Sequence, residues 1–206
     1  MNQVSIANLR RAVVTAGHRG DYTTVLDAMA HSEPEIRCVA LGALERTGYL
    51  NQEILERAFS DEAASVRIRA LKVAATRTEY FPALLSLLTD PEDTVVEVAA
   101  FALGECVDAP LEAVEALCVV ATEHNDSLCR ESATAALGSI GHPTGLPAVV
   151  HACGDKAAVR RRAVLALAAF DGSEVTDMLR SMTSDRDLQV RQSAQELLDI
   201  ETGENL

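Results

Sequence analysis

One short pattern returns seven times along this chain of 206 residues, and it leaves few folds open. The segment EIRCVALGAL carries Arg37, Ala40, Ala43 and Leu44, and this R-x-x-A-x-x-A-L arrangement returns intact in LCRESATAAL and AVRRRAVLAL and with substitutions in SVRIRALKVA (Val73, Ala74), TVVEVAAFAL (Val96 for Arg) and QVRQSAQELL (Leu197, Leu198). ANLRRAVVTA is a weaker first copy, with Leu9 at the arginine position. The register positions 9, 37, 67, 96, 130, 160 and 191 lie 28, 30, 29, 34, 30 and 31 residues apart. A fixed period of this size is the signature of a stacked array. Within each copy the Arg, first-Ala and second-Ala positions are three apart, which places them on one stripe of an α-helix.

A second, shorter apolar helix follows in the complete units: 51–59, 79–88, 111–121 and 145–153. Ser32-Glu33-Pro34-Glu35 reads as a capping box and Asp90-Pro91 as a capped start, while Gly48 and Gly141 read as stops. Each unit is therefore a helical hairpin, and a hairpin alone cannot bury both its faces. The expectation is an all-α, right-handed α-solenoid of about six and a half hairpins, roughly thirteen helices. It forms a single domain over 1–206, with units starting near 5, 32, 61, 90, 125, 155 and 185 and a short acidic tail at 201–206. The first helix (Asn8, Arg11, Thr15) and the last (Gln189, Gln192, Ser193, Gln195, Glu196) each offer a polar outer side, as terminal repeats need.

Composition supports this and narrows function. Hydrophobic residues make up 48% but aromatics only 3%, with no Trp, so Ala, Leu and Val fill the core. The net charge of −13 opposes a phosphate backbone or an anionic lipid face, so no nucleic-acid or membrane role is expected. Five cysteines without a C-x-x-C pair, and no secretory leader in MNQVSIANLRRAVV, point to a reducing, cytoplasmic setting.

The period near thirty, the V-R-x-x-A-x-x-A-L core and ALGSIG at 136–141 resemble the short HEAT repeats of the bilin-lyase type. Standard HEAT units run to about 40–47 residues. The resemblance implies the fold over essentially the whole chain. It leaves function open among scaffolds, bilin lyases, a metal-dependent hydroxylase and alkylated-base glycosylases. The hydroxylase branch binds iron through His-Glu dipeptides. Here His18, His31, His124, His142 and His151 are followed by Arg, Ser, Asn, Pro and Ala, so no metal, cofactor or catalytic group is expected. The histidines read as single surface residues and the cysteines as small buried hydrophobes.

The arginines Arg37, Arg67, Arg130, Arg160 and Arg191 each follow an acid by a few residues: Glu33, Asp61, Asp126, Asp155 and Asp187. The expected arrangement is a structural ladder in which each loop is tied to its own helix. The fourth unit has Val96 instead, which predicts a more apolar junction there; a solvent-exposed Val96 would defeat that. The resemblance implies that second helices line the concave face. Asp27, Glu53, Glu56, Glu112, Glu115, Glu174 and Asp177 would then form an acidic groove for a basic protein or peptide. The leading expectation is a non-catalytic interaction scaffold, a monomer or a subunit of a hetero-complex. The alternative is a bilin lyase-like chromophore-attachment enzyme or accessory subunit.

Overall fold

The structure is a computed structural model that describes residues 3–75 and 80–202. Its described residues form thirteen α-helices, and the chain separates into two compact units, Met1–Ala74 and Ala75–Leu206. Glu79 and the tail residues 203–206 lie outside the described residues.

The first unit holds α1 (Gln3–Arg19), α2 (Tyr22–Ala28), α3 (Pro34–Thr47), α4 (Gln52–Phe59) and α5 (Ala64–Ala74). Local chemistry sets these bounds. Asp21 and Asn51 accept the Thr24 and Ile54 amides and so start α2 and α4. Gly48 closes α3 in the left-handed region at φ 75°. First helices pack side by side, α1 on α3 and α3 on α5. Val13, Val25, Ile36, Ala40 and Leu44 lie buried in the core.

The second unit holds α6 (Phe81–Ser86), α7 (Asp93–Gly104), α8 (Leu111–Glu123), α9 (Ser127–Ile140), α10 (Leu146–Ala152), α11 (Ala157–Ala166), α12 (Ser173–Met182) and α13 (Leu188–Thr202). Single 3₁₀ turns extend α6 and α11 and precede α10. The first helices α7, α9, α11 and α13 again stack in order, while α8 packs on α10 behind them. Alanines at the repeating stripe, Ala99, Ala133 and Ala163, are fully buried, so helix axes approach closely there. The long fourth repeat is accounted for by α8, which has 13 residues against 8 in α4 and 7 in α10. Val96 is buried.

The start of α3 differs from the sequence expectation. No side chain of Ser32 or Glu33 caps it; the His31 ring accepts the Glu33 amide at 3.0 Å, and Glu35 instead pairs with Arg10. Pro34 occupies the first turn, where a missing N–H costs nothing, so the ring turn suffices.

Candidate functional site

The repeated arginines are the most ordered polar feature, and their pairing corrects the expected ladder. Each guanidinium donates through Nη1 to backbone carbonyls of its own loop: Arg37 to His31, Arg67 to Asp61, Arg130 to His124, Arg160 to Asp155 and Arg191 to Asp185. The carboxylate, where it is described, comes from the following repeat. Arg37 grips Asp61 through Nε and Nη2 at 2.8 and 2.6 Å. Arg130 grips Asp155 at 2.6 and 2.8 Å. Arg160 grips Asp185 at 2.8 and 2.7 Å. These pairs are bidentate and mostly buried. The acid that precedes each arginine does something else. Asp126 caps the Leu128 amide, and Asp187 receives Arg161. Asp61 gives Arg67 only its backbone oxygen. A carboxylate beside a helix start is drawn to free amides, which leaves the guanidinium to reach across to the next turn.

The turn residue itself follows a rule. Asp61 and Asp185 each accept the amide two residues on, as does Asp90. His31 and His124 do the same through Nδ1, at 3.0 and 3.1 Å. Asp stands after repeats that carry Arg37, Arg130 and Arg160; His stands after those that carry Leu9 and Val96. An imidazole keeps the turn without burying a carboxylate that no arginine would meet. His31 and His124 are therefore half-buried structural groups rather than surface residues, and His142 likewise accepts the Thr144 amide.

The dense basic run is neutralised in the same way. Arg160 pairs with Asp185, Arg161 with Asp187, and Arg162 lies 3.6 Å from Glu131. The Arg161 guanidinium holds the Asp187 carboxyl down to about 2.

Cys106, Cys129 and Cys153 are buried and Cys38 and Cys118 half-buried, all as free thiols. Burial pushes all five up, Cys129 and Cys153 to about 11, so they are held as neutral thiols. No group of three metal-ligating side chains comes together among the described residues. No helix among them is long and apolar enough to cross a membrane.

The acidic second-helix residues are all exposed. In the first unit Asp27 lies on α2 and Glu53 and Glu56 on α4; Glu53 borders a depression of about 320 Å³ with Leu26, Met29 and Ile54, and Glu56 accepts the Gln52 amide. In the second unit Glu112 and Glu115 lie on α8 and Glu174 and Asp177 on α12. Glu115 edges a depression between α8 and α10, and Asp177 pairs with Arg180 at 2.9 Å.

A second surface was not anticipated from sequence. On the first-helix side of the second unit, α7 and α9 enclose a depression of about 310 Å³ walled by Phe101 and Leu128, with Gly104, Ala135 and Ala136 in its floor. It continues past Ser139 and Arg162 to Leu165 on α11. Phe101, Leu128 and Leu165 are 55%, 56% and 52% exposed. The mid-repeat glycines were the available signal. A Cβ on Gly104 would lie 2.8 Å from Ala136 Cα, and one on Gly138 would lie 2.6 Å from Ala166 Cβ. Glycine inside a helix at such positions marks close approach.

Comparison with known proteins agrees with this architecture. The family model described as HEAT repeats matches residues 81–158 and 114–199, more than half of the chain. The chain belongs to the HEAT-repeat family. It is similar in fold to an archaeal HEAT-like repeats protein from Thermococcus onnurineus NA1, at TM-score 0.63 and 14% identity over 98% of this chain and 99% of that one. A designed armadillo repeat protein in complex with peptide (KR)4 aligns at TM-score 0.65 and 16% identity, covering 86% of this chain and 98% of that one. An engineered protein aligns at TM-score 0.64 and 20% identity over 87% and 97%. No curated protein sequence is a significant match.

Proposed function

We propose that the chain is a non-catalytic interaction scaffold whose second helices, in each unit by itself, hold protein or peptide segments rich in Lys or Arg. The observation that carries this reading is the set of exposed carboxylates Asp27, Glu53, Glu56, Glu112, Glu115, Glu174 and Asp177 on α2, α4, α8 and α12. With a net charge of −13 they favour encounter with cationic partners and disfavour anionic ones. That a designed repeat protein of similar fold is in complex with (KR)4 supports a solenoid of this kind as a carrier for such a sequence. We place the protein in the cytoplasm, as a monomer or a subunit of a hetero-complex.

Titration of labelled (KR)4 at low and at physiological salt tests the reading. Binding should weaken about tenfold between about 0.05 M and 0.3 M salt, because exposed charges are screened within a Debye length. Reversal of Glu53, Glu56, Glu112 and Glu115 to Lys should remove it. Binding that ignores both salt and charge reversal refutes the acidic face. A bilin absorption band that shifts on mixing and stays with the protein through gel filtration would instead favour the lyase-like alternative of the short-repeat type.

A further inference from the structure

We propose that the first-helix side of the second unit is a separate docking trough for a short amphipathic helix with apolar anchors flanked by Lys or Arg. Three large apolar side chains, Phe101, Leu128 and Leu165, stand more than half exposed along one continuous depression. Exposed apolar surface of this contiguity marks a contact site far more often than isolated exposed leucines do. The floor is made of Gly104, Ala135, Ala136 and Gly138, so the backbone of the two helices, not bulky side chains, sets its depth. From Leu128 to Ser139 the wall runs about 16 Å along α9 at 1.5 Å per residue, three helical turns, which suits anchors at i, i+4 and i+7.

Charge selects the occupant. Glu97 and Glu105 lie one turn to either side of Phe101, and neither has an ion-pair partner among the described residues. Across the trough Glu131 is satisfied by Arg162 at 3.6 Å. The rim is therefore net acidic with two carboxylates waiting for cations. A second copy of this chain would bring the same acidic rim and a net charge of −13 against it, so self-association through the trough is disfavoured. The site stands on α7, α9 and α11, apart from the second-helix carboxylates.

The probe is a fluorescein-labelled 15-residue Leu/Lys peptide with leucines on one helical face. Its controls are a peptide of the same composition with leucines scattered around the helix and a Leu/Glu peptide patterned like the probe. The wild-type chain should bind the probe at least tenfold tighter than either control. Phe101→Ser with Leu128→Ser should weaken it at least tenfold, as should Glu97→Lys with Glu105→Lys, which leaves the apolar walls intact. Asp171→Lys with Glu196→Lys, an equal charge change at exposed positions outside both surfaces, should change it less than twofold. Unchanged melting temperatures verify that the surface variants fold. Absent binding, equal binding of a control, or no loss in either trough variant overturns the trough. Equal binding of the scattered peptide that is lost with Glu112→Lys and Glu115→Lys overturns the trough and leaves the second-helix reading standing. Self-association of the wild type in sedimentation, abolished by Phe101→Ser with Leu128→Ser, would assign the trough to a second copy and overturn the cationic-helix occupant.

Discussion

Asp185 serves two masters: its carboxylate receives the Arg160 guanidinium through two parallel bonds of 2.8 and 2.7 Å, while its Oδ1 also accepts the Asp187 amide at 2.7 Å. One side chain thus shapes its own turn and fastens the preceding repeat. Both partners are nearly sealed from water, with 4% and 9% of their side-chain surfaces exposed.

Asp185→Ala leaves a buried guanidinium without its counter-charge and a turn amide without its acceptor. The cost should be about 3 kcal/mol, in the range for breaking a buried pair. Urea denaturation of wild type and variant, with m unchanged, measures it.

The Val96/His124 junction shows how the clamp is replaced as a set. Arg160→Val alone strands the Asp185 carboxylate and should destabilise strongly. Arg160→Val with Asp185→His rebuilds the native alternative and should recover at least half of that loss. Conversely, Val96→Arg alone should destabilise, and adding His124→Asp should recover part of it. A double variant no better than the worse single, in either pair, would disprove the rule.

Stability should fall on the acid side. The Arg130 and Arg160 guanidinium groups hold the Asp155 and Asp185 carboxyls below the usual carboxylate range. With the folded-state values lowered, the stabilisation is complete above the unfolded value of about 3.9 and is lost as pH falls through the lowered values. Melting temperature should therefore drop steeply below about pH 4, and Asp185→Asn should flatten that limb.

Gly138→Ala should destabilise, although alanine is the better helix former by about 1 kcal/mol. The added methyl would lie 2.6 Å from Ala166 Cβ and 2.8 Å from its Cα, so α9 and α11 must part. Overpacking of this kind costs about 1–3 kcal/mol. Gly48→Ala, in open space but at φ 75°, tests strain without a clash. Thermal melts of the two variants separate these effects.

The all-helical hairpin array was readable in the sequence because its signals are short-range: alanines three apart, Gly48 and Gly141 at helix ends. The arginine partners were not. Asp126 lies four residues before Arg130 and invites a local pairing, yet its oxygen goes to the Leu128 amide, while Asp155, 25 residues on, takes the guanidinium. Only the stacking distance between repeats decides that. The trough escaped notice for a related reason. Phe101 and Leu128 lie outside the stripe that sets the helical period, and nothing local marks an apolar residue as exposed. The second-helix carboxylates were legible as residues, and their exposure follows from the unburied side of short helices. Their partner is a matter of chemistry outside the chain.

The matched Arg–Asp and Val–His junctions also govern how such an array can grow by gene duplication. A segment spanning 155–184 begins with Asp155 and carries Arg160; copied in tandem, the first Arg160 meets the second Asp155, and the seam closes as the native ones do. A segment spanning 124–154 begins with His124 and carries Arg130; its copy would set a buried guanidinium against an imidazole. Lengthening is open at one segment and closed at its neighbour, though each is a pair of helices and they are of nearly the same length.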